Sequence, residues 1–190
     1  MRSLFATHLY EALIDDGELL GNLAHSVRTL AEDDQAGRNW SKAHLYPGYT
    51  SYASLNDLPK RDPAFAELAR QLTRHASAFA NECAFEIARK PRLDSLWVNL
   101  LKDGGQHSGH IHPHSIISGT FYVEVPAGSG SIRFEDPRLP LMMAAAPRPG
   151  MFVTVEPQPG LLLMWESWLR HEVLAGTGKS ERLSISFNFA

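Results

Sequence analysis

The feature that most constrains this chain is a change of period near residue 92. Before it, apolar residues recur every three or four positions; after it, they come in short runs, many of them alternating. From residue 94 these runs are SLWVNLL, SIISGTFYVEV, SIRFED, MFVTVE, GLLLMW, HEVL and RLSISFNF. Gly104-Gly105, Ala127-Gly128-Ser129-Gly130, Pro157 to Gly160 and Gly176-Thr177-Gly178 supply the turns. Short strands at this spacing describe an all-β sandwich or barrel. The expected fold is mainly β with flanking helices (α+β): an eight-stranded jelly-roll core over 92–190, and a helical and loop part over 1–91 packed on one sheet. At 190 residues a single domain, 1–190, can bury its core without disulfides.

In the first half, Phe65, Leu68, Leu72, Ala76, Phe79 and Cys83 step by three or four, which predicts a helix over 64–88. Asp62 and Pro63 give it a cap and a first-turn proline. Leu9, Leu13, Leu20, Leu23, Val27 and Leu30 predict a second helix over about 9–31, with Gly17 and Gly21 weakening its early part. The stretch NWSKAHLYPGYTSYASLNDLP between them is expected to be a loop or a pair of short edge strands.

Composition removes several classes of function. The 18 basic and 21 acidic residues leave a net charge of −3, and the basic residues are scattered, so nucleic acid is not an expected partner. No apolar stretch approaches membrane-spanning length, and Asp15, Asp16 and Glu18 stand where a signal peptide needs its apolar core. The single cysteine, Cys83, forms no intrachain disulfide and no cysteine-rich zinc site; it is expected as a small buried hydrophobe on its helix. A cytoplasmic location fits these features.

Four of the nine histidines fall within eight residues, His107, His110, His112 and His114 in HSGHIHPH. Imidazole is the commonest protein ligand of transition metals. In a strand, residues two apart share a face, so His110 and His112 can aim at one ion, while His107 and His114 are expected to be supporting or solvent-facing. His171, between the buried run GLLLMWESWL and HEVL, is the candidate third ligand. Arg182 and Ser184 share a face of the last strand, and a guanidinium fork beside a hydroxyl forms a receptor for a carboxylate.

On these residues the chain resembles the Fe(II)/2-oxoglutarate oxygenases, and in detail a bacterial group with the pattern N-x-x-x-G, H-x-H-P, S-G-x-x-Y and D-P-R. The matching residues are Asn99, Gly104 (displaced by one), His110-Ile111-His112-Pro113, Ser118-Gly119-Thr120-Phe121-Tyr122 and Asp136-Pro137-Arg138. His171 and Arg182-Leu183-Ser184 are similar to the superfamily's distal histidine and Arg-x-Ser motif, and Gly48-Tyr49-Thr50-Ser51 looks like the group's N-terminal half. The resemblance implies a double-stranded β-helix related to prolyl-hydroxylase-type enzymes. It implies Fe(II) at the barrel mouth, and 2-oxoglutarate with its distal carboxylate on Arg182 and Ser184 and with Asn99 near it. It also implies coupled oxidation, by O2, of a small-molecule or peptide substrate.

One departure from the superfamily matters. Its usual facial triad is two histidines and a carboxylate, written H-x-D/E, whereas here His112 occupies the acid's position. Three solutions are open: a three-histidine site, a two-histidine site with His112 as a neighbour, or a carboxylate from Asp136 or Glu135. The expected metal and catalytic set is His110, His112 and His171. A cupin-like metalloprotein that binds a divalent ion without 2-oxoglutarate and a non-catalytic jelly-roll binding module are the competing readings. Trp97, Tyr122, Trp165 and Trp168 are candidates for a substrate pocket or for core. The loop 137–149, with Leu139, Leu141, Met142 and Met143, reads as a lid or a homodimer contact.

Overall fold

Two antiparallel sheets form the β portion of this computed structural model, which describes residues 2, 5–102, 104–138, 144, 146 and 150–190. The chain begins with strand β1 (Leu9–Leu13), helices α1 (Gly17–Asp33) and α2 (Gln35–Ala43), strand β2 (Gly48–Thr50), a 3-10 turn (Leu58–Lys60) and helix α3 (Pro63–Glu82). It continues through β3 (Leu93–Leu101), β4 (His107–His110), β5 (Ile117–Glu124), β6 (Ile132–Glu135), β7 (Phe152–Val155), β8 (Leu161–Glu166), β9 (His171–Val173) and β10 (Arg182–Phe189). The larger sheet runs β1-β8-β5-β10-β3-β2 and the smaller β4-β9-β6-β7. Strands β3 to β10 supply the expected eight core strands, and β1 and β2 extend the larger sheet at its two edges.

Alternation decides which side of the larger sheet is covered. On β10, Leu183, Ile185, Phe187 and Phe189 are wholly buried in one cluster with Leu23 and Val27 of α1 and Phe65, Leu68 and Leu72 of α3. The apolar stripes of the two helices therefore close the outer face of this sheet, as the 3.6-residue period anticipates. A second cluster, Tyr122, Ile132, Phe134, Leu161, Leu163, Trp165 and Leu169, lies on the inner side between the sheets.

Three elements differ from the sequence expectations. Residues 9–13 are an edge strand paired with β8, not the start of a helix; Leu9 packs with the inner cluster while Tyr10 and Ala12 pack with the outer one. The helix begins only at Gly17, where the Asp16 carboxylate accepts from the Leu19 N–H at 3.0 Å. The predicted helix over 64–88 stops at Glu82, since Ala84 takes the left-handed conformation at φ +53°. Cys83 thus caps the helix C-terminus and is only half-buried. The segment between the two helices contributes both α2 and an edge strand, β2. Leu139, Leu141, Met142 and Met143, on which the lid and homodimer readings rested, lie outside the described residues. No helix among the described residues is long and apolar enough to cross a membrane.

Glycine is required where β2 meets β3. Gly48 has φ +141°, and a Cβ there would sit 2.0 Å from the Leu100 carbonyl oxygen. Asp62 joins the helical layer: its carboxylate accepts from the Ala64 N–H at 2.7 Å, capping α3, and from Ser26 Oγ of α1 at 2.7 Å. Asp62→Ala is expected to lower the unfolding free energy by about 1–2 kcal/mol, and Ser26→Ala by about 1 kcal/mol. In urea denaturation the double variant should lose less than the sum, because the two residues share one bond.

Candidate active site

The mouth of the jelly roll is built where β4 pairs with β9. Their register sets His110 directly opposite His171, so neighbouring strands bring two imidazoles together from positions 61 residues apart. His112 lies just beyond the end of β4, where its backbone N–H donates to the Ser167 carbonyl at 3.0 Å. The strand pleat alone therefore does not align His110 with His112; a turn anchored on Ser167 completes the alignment. The ligating nitrogens of His110, His112 and His171 all lie within 4.8 Å of one another.

Hydrogen bonds hold two of these rings by one nitrogen and leave the other facing the cluster. His110 Nδ1 donates to the Ser108 carbonyl at 2.7 Å, and His171 Nδ1 to the Leu169 carbonyl at 2.9 Å. His112 Nε2 and His171 Nε2 are 3.3 Å apart. Two nitrogens bound at about 2.1 Å and at right angles to one ion would be separated by about 3.0 Å, so the donor set fits a metal with little adjustment. Burial holds His112 down to about 4, with His110 adding to the shift, and holds His171 down to about 3. Both rings are then neutral, as ligation requires.

A cavity of about 450 Å³ extends from these histidines into the barrel, lined among others by Trp97, Asn99, Tyr122, Trp165, Arg182 and Ser184. Arg182 is 4% exposed. Its Nη1 donates to the Gly130 carbonyl at 2.7 Å, while its Nε has no partner among the described residues. Gly130 is needed there: a Cβ would lie 1.8 Å from the Leu174 carbonyl oxygen. No acidic residue pairs with Arg182 among the described ion pairs; its guanidinium lies 5.6 Å from the Tyr122 ring centre. Burial lowers its pKa, and burial pushes the Tyr122 hydroxyl up to about 12. A buried cation with an unused donor fits an anionic ligand with acceptor oxygens.

The acids considered as a third ligand face elsewhere. Glu135 Oε2 pairs with Arg170 at 2.9 Å, and Asp136 accepts from Arg138. Its neighbour Phe134, opposite His171 in the β6–β9 register, has its ring centre 6.1 Å from that of the imidazole. Among the described residues, the metal-competent group contains histidines alone.

Comparison with known proteins follows from this geometry. Residues 95–188 match the family described as "Putative 2OG-Fe(II) oxygenase". The chain belongs with the 2-oxoglutarate/Fe(II) oxygenases. No curated protein matches it significantly in sequence. A prolyl-4-hydroxylase from Pseudomonas putida is 16% identical over 96% of this chain and 92% of its own, with a TM-score of 0.64. The α-ketoglutarate-dependent epimerase SnoN of nogalamycin biosynthesis is 18% identical over 97% of this chain and 78% of its own, with a TM-score of 0.66. HygX from Streptomyces hygroscopicus, solved with nickel and 2-oxoglutarate, is 13% identical over 97% and 82%, with a TM-score of 0.61. At these identities the structures establish a shared jelly-roll fold. Family membership gives the oxygenase Fe(II) as its cofactor, and O2 and 2-oxoglutarate as co-substrates.

The oxygenase cavity also holds residues that sequence patterning passed over. Tyr46 donates to Asn99 Oδ1 at 3.2 Å, and its hydroxyl is 2.8 Å from His107 Nε2. His107, expected in a supporting or exposed place, is half-buried here, and burial together with the Arg182 charge holds it down to about 4. Thr50 Oγ1 donates to Asn99 Oδ1 at 2.9 Å, and Asn99 Nδ2 donates to Ser186 Oγ at 3.0 Å. Asn99 thus ties together β2, β3, β10 and the turn carrying Tyr46. Asn99 lies inside β3 rather than at a turn. His114 is exposed and left-handed, at φ +73°. Trp97, Tyr122 and Trp165 line the cavity, whereas Trp168 is 46% exposed and donates to Glu166. Tyr46→Phe removes one hydroxyl from a buried network and is expected to cost about 1–2 kcal/mol in urea denaturation.

Proposed function

We propose that His110, His112 and His171 ligate the Fe(II), that Arg182 and Ser184 receive the distal carboxylate of 2-oxoglutarate, and that the reaction is hydroxylation of a substrate C–H bond. The observation that carries this reading is Arg182, a buried guanidinium with no acidic partner among the described residues, in the same cavity as three converging imidazoles. Such a charge is costly without a counter-ion. A dicarboxylate spanning the cavity supplies it.

When bound, iron and 2-oxoglutarate supply the oxidising chemistry, in which O2 converts 2-oxoglutarate to succinate and CO2 and an oxygen atom is delivered to the substrate. The protein's own part is positional. The Ser108 and Leu169 carbonyls fix the ring orientation of His110 and His171. Gly130 fixes the guanidinium fork, and Ser184, opposite Tyr122 and Asn99 in the sheet register, sets a hydroxyl on the same face. Tyr122 and Trp165, both nearly fully buried, keep bulk water from the inner wall. An all-imidazole set adds no negative charge, so one carboxylate of 2-oxoglutarate offsets part of the ion's charge while the other offsets Arg182. The single free cysteine and the scattered basic residues support a cytoplasmic enzyme acting on a small molecule or peptide.

Anaerobic addition of Fe(II) and then 2-oxoglutarate should produce the weak visible charge-transfer band of the chelate in the wild type. His112→Ala and His171→Ala should each abolish the band and weaken metal binding by about 100-fold or more, beyond the loss typical of an outlying partner. A full band in His112→Ala would leave only two histidines in the site. Arg182→Ala should keep the metal while weakening 2-oxoglutarate by about 100-fold, as expected on removing one partner of a buried charge pair. An unchanged 2-oxoglutarate affinity in calorimetry would remove Arg182 from the co-substrate site.

A further inference from the structure

We propose that the primary substrate is a ring-bearing compound without positive charge, bound along an aromatic wall made by Trp40, Tyr52 and Trp97. The inference rests on the assignment of the cavity to iron and 2-oxoglutarate, and it extends that assignment to the open side of the same space. Trp40 comes from α2, Tyr52 follows β2 and Trp97 lies on β3. All three line the cavity that holds the histidines.

Their rings form a continuous series from the surface inward. Trp40 and Tyr52 meet edge to face, with centres 6.1 Å apart at 61°; Tyr52 and Trp97 meet at 5.3 Å and 70°; and the Trp97 ring lies 5.9 Å from that of His112. His44 stacks on Trp40 at 4.2 Å and 16°, holding that ring in place. Tyr52 is 58% exposed, Trp40 is half-buried beside it and Trp97 is 7% exposed. Ile111, 46% exposed, adds apolar surface at the same mouth. Contiguous exposed apolar surface that leads to a reactive centre marks a binding face, and aromatic rings favour a planar or ring-shaped partner over a flexible chain.

Charge sets the other half of the specificity. No aspartate or glutamate is found among the described residues that line the cavity, and Arg182 is its one formally charged side chain apart from the histidines. With one carboxylate of 2-oxoglutarate on the ion and the other on Arg182, the loaded site keeps one net positive charge. An ammonium or guanidinium group would enter without a carboxylate to receive it and against that field. The weak attraction of ring faces for a cation acts in the opposite sense, but it operates at an exposed rim where it is smallest. Free amino acids and lysyl or arginyl side chains are therefore poor substrates, and neutral or anionic ring compounds are favoured.

The test uses the full chain loaded with Zn(II) and 2-oxoglutarate, which binds without turnover, and calorimetric titration with three probes sharing one ring: 3-methylindole, indole-3-acetate and tryptamine. The neutral and anionic probes should bind, with tryptamine weaker by about tenfold or more. Tyr52→Ala, at an exposed position that does not threaten folding, and Trp40→Ala should each weaken the bound probes by about fivefold. Tyr52→Glu should raise the affinity ratio of tryptamine to indole-3-acetate by about tenfold relative to Tyr52→Gln, because only the former supplies the missing acid. Equal or tighter binding of tryptamine by the wild type, no binding of any ring probe, or probe affinity unaffected by both alanine variants would overturn the proposal. Failure of the Zn(II)-loaded protein to bind 2-oxoglutarate in the preceding titration would instead remove the assignment on which it rests.

Discussion

The pleat of β10 is the constraint on which the rest of the molecule depends. This strand lies inside the larger sheet, paired on one side with β3 and on the other with β5. Its sequence alternates strictly, so Leu183, Ile185, Phe187 and Phe189 face the helices while Arg182, Ser184, Ser186 and Asn188 face the cavity. A slip of one residue would exchange the two sets, driving an arginine into the apolar layer and four large hydrophobes into the site. Folding and the polar wall of the cavity are thus specified by the same eight residues, and the helical layer penalises any change of register.

The polar side of that strand is held in a low-dielectric setting by its neighbours. Ser118 bridges Ser167 and Asn188 at 2.8 Å each, and Asn99 gathers Tyr46, Thr50 and Ser186. Fully paired buried networks of this kind restrict their members to one arrangement. Against that background the unused Nε of Arg182 stands out. Trp165 Nε1 is likewise without a partner among the described residues, and its ring lies 4.6 Å from that of His171. The donors left over are in the walls of the cavity, where a ligand with acceptor oxygens can use them.

Much of this was readable from residue order. Two-residue alternation in RLSISFNF places Arg182 beside Ser184, and the density of histidine in HSGHIHPH points to a metal, because both signals are local. The failures are equally physical. Residues 9–13 carry helix-like leucine spacing, yet they pair with β8, since an uncovered sheet edge offers hydrogen bonds and two apolar surfaces that a free helical turn lacks. Tyr46 and His107 meet across 61 residues, and nothing in either segment announces the other. No local pattern around Asn99 announces its bonds, and only the assembled sheet shows the three partners that fix it. Trp40 lies on a helix, α2, that the sequence reading placed in a loop, and so its part in the cavity could not be seen.

The division between what was legible and what was not follows the division of labour in the chain. The family match spans 95–188 and contains Asn99, the three histidines, Arg182 and Ser184. Trp40, Tyr46, Thr50 and Tyr52 all lie outside it, on α2, β2 and the segments beside them. The jelly roll therefore carries the converging histidines and the buried Arg182, while the N-terminal segment brings a second wall to the same cavity. Because β2 is hydrogen-bonded to β3 and Thr50 bonds Asn99 directly, that wall is fixed relative to the histidines rather than loosely appended. The lining of the cavity can then change around α2 and β2 without disturbing β10, whose pleat must satisfy the apolar core and the polar cavity wall at once.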